Sequence, residues 1–268
     1  MLGNLHTHSI FCDGNNTPEE IVLSAIDKGF SYIGFSGHGY TPYDLRYCMK
    51  DTEGYISEIL RLKEKYRDRI QIYLGIEEDA FSLVDRGRFD YIIGSSHYYI
   101  KNGVYLPIDS SYDHFKQCLV AFDYNVIEMA EEYYSAFCAY IKQRRPDIIG
   151  HFDLITKFDE LDSPLFKDNR EYEKIVEGYI REAIKADCIF EVNTGAITRG
   201  VRSTVYPAEN LLYILKKENA KIILGADSHS VETIDGCFAE TRKYLYDLGF
   251  RHIYALFNGE FIQTKIQD

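Results

Sequence analysis

Seven short apolar runs recur along this chain, separated by stretches with helical patterning, and six of the seven stop at residues able to bind a metal ion. The runs are 2–8, 32–36, 70–76, 89–94, 146–150, 188–192 and 221–225. The first five and the seventh lead into His6 and His8, His38, Glu77, His97, His151, and Asp227 with His229. Strands alternating with helices predict a parallel sheet, and seven successive units favour a closed or nearly closed barrel. In such barrels the active site lies at the carboxyl ends of the strands. Residues far apart in sequence would therefore converge on one mouth. The chain has 8 histidines, and a random scatter would not put six of them at strand ends.

In an extended strand successive side chains alternate faces, so His6 and His8 must point the same way. The loop after them, Phe11-Cys12-Asp13-Gly14, adds a carboxylate. The first helix start is explicit: Thr17 as N-cap, Pro18 at the first helical position and Glu20 completing a capping box. Further helices are expected near 112–122, 128–144, 170–186 and 232–248, and a last apolar run at 253–257. The segment 98–145 is longer than a simple crossover. It is expected to be a helical elaboration over the barrel mouth, within a single domain spanning 1–268.

At 268 residues the chain is close to the roughly 250 typical of an α/β barrel. A formal net charge of -12 argues against nucleic-acid binding, which needs Lys and Arg on the contact face. It does not exclude a small anionic substrate, because bound divalent cations would dominate the local field. No apolar run approaches the ~18 residues of a membrane span, and no signal peptide is read ahead of the first strand. The 6 cysteines are scattered with no Cys-x-x-Cys pair. A cytoplasmic protein with reduced thiols and no membrane partner is the expectation.

Imidazole with carboxylate, and no cysteine at a strand end, suits Zn, Mn or Fe better than Mg or Ca. The nine candidate ligands, His6, His8, Asp13, His38, Glu77, His97, His151, Asp227 and His229, exceed what one ion can take. Two or three divalent transition metal ions are expected, an arrangement used for phosphoester cleavage. Lys157, Arg199 and Arg202 lie on loops after the fifth and sixth strands. They are candidates for holding a phosphate, with solvated loop charges as the alternative. Tyr98 and Tyr99 are candidate substrate walls. Glu78 and Asp79 are expected to cap or pair locally, Asp153 to orient His151 or lie outside the mouth, and His114 and His252 to be structural.

His6-Thr7-His8, Gly37-His38, Gly75-Ile76-Glu77, Ser96-His97, Gly150-His151 and Gly225-Ala226-Asp227-Ser228-His229 occur in an order and spacing that resemble the polymerase and histidinol phosphatase (PHP) family along nearly the whole chain. The length, Phe11-Cys12-Asp13-Gly14 and Glu191-Val192-Asn193-Thr194 look most like its monofunctional L-histidinol-phosphate phosphatases.

The resemblance implies a distorted (β/α)7, TIM-like barrel with a trinuclear centre. One ion would take His6, His8, Glu77 and Asp227. A second would share Glu77 and add His97 and His151, and a third would take Asp13, His38 and His229. Asn4 departs from the family's common aspartate and would act as an outer partner of a histidine. The implied reaction is hydrolysis of L-histidinol phosphate to L-histidinol and phosphate, in histidine biosynthesis. A metal-bridging hydroxide would attack in line, and Asp227 or His229 would pass a proton to the departing oxygen. The alternatives are a PHP phosphoesterase acting on a nucleotide or phosphotyrosine, a metal-dependent amidohydrolase, and a non-catalytic PHP module.

Overall fold

The structure, a computed structural model, describes residues 1–161 and 164–266. Its strands are β1 (Gly3–Asn4), β2 (Tyr32–Phe35), β3 (Gln71–Asp79), β4 (Tyr91–Ser95), β5 (Tyr98–Lys101), β6 (Val104–Pro107), β7 (Ile148–Ile149), β8 (Ile189–Asn193), β9 (Ile222–Gly225), β10 (His252–Phe257) and β11 (Glu260–Lys265). Seven of them form one parallel sheet in the order β1-β2-β3-β4-β7-β8-β9. Just beyond its two edge strands, Thr7 and Ser228 form a parallel bridge. The His8 amide donates to the Ser228 carbonyl at 2.8 Å, and the Ser228 amide to that of His6 at 3.1 Å. The sheet thus curls into the nearly closed barrel that the repeat predicts.

The helices are α1 (Pro18–Asp27), α2 (Thr52–Lys65), α3 (Tyr112–Ala121), α4 (Val126–Arg144), α5 (Arg170–Ile184), α6 (Gly195–Thr198), α7 (Glu209–Lys217) and α8 (Phe238–Asp247). Helix α1 shows how local chemistry sets the pattern. Thr17 accepts from the Glu20 amide while the Glu20 carboxylate accepts from the Thr17 amide, and Ile21, Val22 and Ala25 are buried behind them. Such a cap contributes about 1 kcal/mol.

The barrel interior is apolar at its amino end, where Leu5, Tyr91, Ile93, Ile148, Ile189 and Ile223 pack with Ala255 and Leu256. Those last two belong to the antiparallel hairpin β10–β11. The run at 253–257 is therefore a plug against the amino end. Asn258 and Gly259, in its turn, donate their amides to Gln71 and Tyr73 at the start of β3.

The segment 98–145 holds the two expected helices, α3 and α4, together with strands that the helical reading does not include. It opens with the hairpin β5–β6, turned by Asn102 (φ 52°) and Gly103 (φ 78°). Asn-Gly with both residues at positive φ is the signature of a tight hairpin turn, and the helical reading overlooks it. Only this hairpin and the loop after it reach the mouth. Helix α4 packs against α5 in the outer layer.

Candidate metal centre

The carboxyl ends of the barrel strands carry polar residues that are almost all buried. His6, His8, Glu77, His97, His151 and Asp227 each expose less than a tenth of their surface. Glu77, on β3, stands between two sets of imidazoles. Its Oε1 lies 3.1 Å from His151 Nε2 and 3.4 Å from His97 Nε2, and accepts from the Ser95 hydroxyl at 2.6 Å. Its Oε2 lies 2.8 Å from His38 Nδ1, 3.5 Å from His6 Nε2 and 3.7 Å from His8 Nε2. Asp227 Oδ1 is 3.2 Å from His8 Nε2 and 3.7 Å from His6 Nε2. Asp13 completes the set, 3.6 Å from both His8 Nδ1 and His38 Nε2 and 3.3 Å from His229 Nε2.

All nine candidate ligands converge, in four overlapping groups: His6, His8 and Asp227; His6, Glu77 and His151; His38, Glu77 and His97; and His8, Asp13, His38 and His229. Donors about 2.0–2.2 Å from a tetrahedral zinc would lie roughly 3.3–3.6 Å from one another. Most of the spacings above sit in or near that range, longer than good hydrogen bonds. His6 Nε2, His8 Nε2 and Glu77 Oε2 are buried without a hydrogen-bond partner among the described residues. These are atoms that would bind a metal, so the donor set fits divalent transition ions.

The electrostatics lead the same way. Burial opposes ionisation of Glu77, Asp227 and Asp13, but the facing imidazoles, and first of all Arg199 for Asp227, hold these carboxyls below the usual range. Burial, helped by His229 and His38, pushes His8 down to about 3. Burial works against charge on His6 as well, yet Glu191, Glu77 and Asp227 raise it well above the ordinary value. Ionised carboxylates packed out of water require nearby cations, a charge that divalent metals would supply.

Two orienting carboxylates escape the sequence reading. Glu191, on β8, places Oε1 2.6 Å from His6 Nδ1 and accepts the His151 amide on Oε2 at 3.0 Å. Its signal was a carboxylate inside the apolar run 188–192. Asp79 accepts the His97 amide and faces His97 Nδ1 at 3.2 Å, more than local capping. Glu78 does cap locally, accepting the Val84 amide at 2.7 Å, but it also binds Arg144 and Tyr140, far along the chain. Asn4 does partner a histidine, His6, but through its backbone amide and carbonyl rather than its ring, and it also accepts the Ala226 amide. It joins the two edge strands, while Glu191 takes the ring.

Asp227 has φ 46°, a conformation uncommon for a residue with a side chain and frequent at functional sites. Arg199 donates to its carbonyl at 2.7 Å and to its Oδ2 at 2.9 Å. A cavity of about 240 Å³ opens over this cluster. Tyr47, Tyr98, Asp109, Lys157, Arg199 and Tyr206 line its walls. Arg202 is absent from that lining. It bonds Thr156 and Thr204 and lies over the Tyr206 ring at 4.4 Å, behind the wall. Tyr98 forms part of the wall, whereas Tyr99 is buried in the helical core with its hydroxyl on the Met129 carbonyl. Asp153 accepts from the Ala208 amide, and among the described residues it makes no hydrogen bond to the His151 ring. His114 bonds Ser111, and His252 begins β10.

A family model described as "PHP domain" matches residues 4–195. The chain is 27% identical over 279 residues to the "Probable histidinol-phosphatase" of Schizosaccharomyces pombe, covering 95% of this chain and 89% of that one. A crystal structure from Listeria monocytogenes superposes with TM-score 0.73 at 22% identity, covering 89% of this chain and 99% of that one. The histidinol phosphate phosphatase of Lactococcus lactis, complexed with Zn, L-histidinol and phosphate, superposes with TM-score 0.66 at 19% identity, covering 97% and 98%. At these identities the two structures show a shared fold. No helix among the described residues is long and apolar enough to cross a membrane.

Proposed function

The chain belongs to the PHP domain family, and on that premise we propose that it is a metal-dependent phosphomonoesterase hydrolysing L-histidinol phosphate to L-histidinol and phosphate. The observation that carries this reading is Glu77, whose two oxygens face different imidazole sets inside one ring of nine candidate ligands. Bound divalent ions would polarise the phosphate oxygens and make water a nucleophile near neutral pH.

His6, His8, Glu77 and Asp227 would hold one ion, Glu77, His97 and His151 a second, and Asp13, His38 and His229 a third. Glu191 and Asp79 hold the His6 and His97 rings in the orientation ligation needs. Arg199 and Lys157 present cations to phosphate oxygens from the cavity wall. Asp227, kept ionised beside Arg199, is suited to hold a cation through Oδ1, and Asp227 or His229 would pass a proton to the departing oxygen. The His229 ring donates Nδ1–H to the Asp227 carbonyl, which directs Nε2 toward Asp13. Tyr47, Tyr98 and Tyr206 narrow the mouth and exclude bulk water from the phosphate.

A cavity of about 240 Å³ falls below the roughly 300 Å³ at which pockets for drug-sized ligands begin. That size favours a small monoester over a nucleotide, and the S. pombe and L. lactis relatives favour the histidinol ester over phosphotyrosine. Metal analysis with kinetics on L-histidinol phosphate, nucleoside monophosphates and phosphotyrosine tests the proposal. A kcat/KM for any other ester equal to that for L-histidinol phosphate overturns it.

A further inference from the structure

Among the described residues, Asp109 is the one carboxylate in the cavity lining that belongs to none of the candidate metal groups. It follows β6 on the loop that leads to α3, and faces the cavity with Ser110 and Pro107 beside it. Its Oδ2 lies 3.2 Å from Lys157 Nζ, and Lys157 also donates to the Asp109 backbone carbonyl at 2.7 Å. A clamp that only anchored the loop would be served by the carbonyl bond. Here the pair instead stands at the cavity surface, with side chains 17% and 24% exposed for Lys157 and Asp109.

Tyr47 and Tyr98 form the wall nearby. Their rings stack at 6.3 Å and 22°, and the Tyr98 hydroxyl is held to that of Tyr47 at 2.6 Å and to Asp44 Oδ2 at 3.0 Å. Aromatic faces attract cations, so this side of the cavity suits a positively charged group. The metal side, with Arg199, suits an anion.

We propose that Asp109 selects phosphate esters whose alcohol carries an ammonium group. This inference rests on the phosphomonoesterase reading of the same site. An incoming phosphate dianion competes with Asp109 for Lys157, whose flexible four-carbon stem lets the ammonium turn toward it. The freed Asp109 carboxylate then pairs with the ammonium of the same ester. An ester lacking that cation would leave Asp109 partly desolvated and unpaired, which costs affinity. The site thus exchanges one internal ion pair for two with a zwitterionic substrate.

Two matched pairs of esters test this on the metal-loaded protein. One pair is L-histidinol phosphate against 3-(imidazol-4-yl)propyl phosphate, and the other is 2-aminoethyl phosphate against ethyl phosphate. In each, the ratio of kcat/KM for the ammonium-bearing member over its partner is expected to exceed about tenfold. The ratio should fall toward one in Asp109→Asn and recover in Asp109→Glu, in keeping with one charge-assisted hydrogen bond. Ratios unchanged in Asp109→Asn overturn the assignment. Should that variant not fold, ratios near one in the unaltered protein overturn it equally. If L-histidinol phosphate loses to other esters while the 2-aminoethyl ratio still depends on Asp109, the histidinol reading fails and the role of Asp109 stands.

Discussion

Oε1 of Glu191 sits 2.6 Å from Nδ1 of His6, across 185 residues of chain. The contact exists because the neighbouring strand carries Gly225, where a Cβ would stand 1.8 Å from that same oxygen. Glu191 is buried and holds the first histidine of the cluster by its outer nitrogen, leaving Nε2 toward Glu77 and Asp227.

Glu191→Gln is expected to weaken metal binding about 10- to 100-fold, the usual cost of losing an orienting partner of a ligating histidine. Competition against a chelator measures it, and an unchanged metal affinity refutes the role. Gly225→Ala should reproduce the loss, because the new methyl displaces the carboxylate.

His6→Ala or His8→Ala should abolish turnover and lower metal content while the far-UV circular dichroism persists. The apolar amino-end core and the hairpin plug lie away from these rings. Full activity at unchanged metal stoichiometry would sink their assignment as ligands.

Glu77→Gln should disturb two ions together, since each carboxylate oxygen faces a different imidazole set and an amide rarely bridges. Metal analysis of the purified variant decides it. Loss of a single ion with near-normal turnover would show that Glu77 is no bridge.

Arg199→Ala should reduce kcat/KM by about one to two powers of ten, the kinetic equivalent of a charge-assisted hydrogen bond of about 1.5–3 kcal/mol. Inhibition by inorganic phosphate should weaken alongside it. Because Arg199 also binds Asp227 twice, metal affinity should fall modestly too. Unchanged phosphate inhibition would move the anion-holding role to Lys157.

Acid stability should depend on Asp44. Hydrogen bonding from Arg46, with a smaller part from Tyr98, lowers its carboxyl to about 2 against burial. The unfolded value is about 3.9, so its ionised form stabilises the fold above that pH, and the contribution is lost as pH falls through about 2. The stability difference between the unaltered protein and Asp44→Asn should therefore shrink from pH 4 to pH 2. A constant difference across that window contradicts the argument.

The seven barrel strands and their ligand-bearing ends were legible because both signals are local. An apolar run stops where the strand leaves the core, and His6 and His8 share a face by the period of an extended chain. The capping box at Thr17 and Glu20 was legible for the same reason. The hairpin at Asn102-Gly103 was equally local and was overlooked for a helical pattern around it. Arg199 and Arg202 read alike in sequence, three residues apart on one loop. Only folding sends one to Asp227 and the other behind Tyr206.

The amino-acid sequence by itself determined that a parallel α/β barrel would gather histidines and carboxylates at one end, since alternation and strand termination need only neighbouring residues. The tertiary structure alone decided which imidazoles share each oxygen of Glu77, that Glu191 rather than Asn4 takes the ring of His6, and that Asp109 meets Lys157 at the cavity wall. Those choices depend on strand register, on the space left beside Gly225 and on side-chain direction across the barrel. Contacts of about 3 Å between residues tens to hundreds of positions apart leave no periodic trace in the chain.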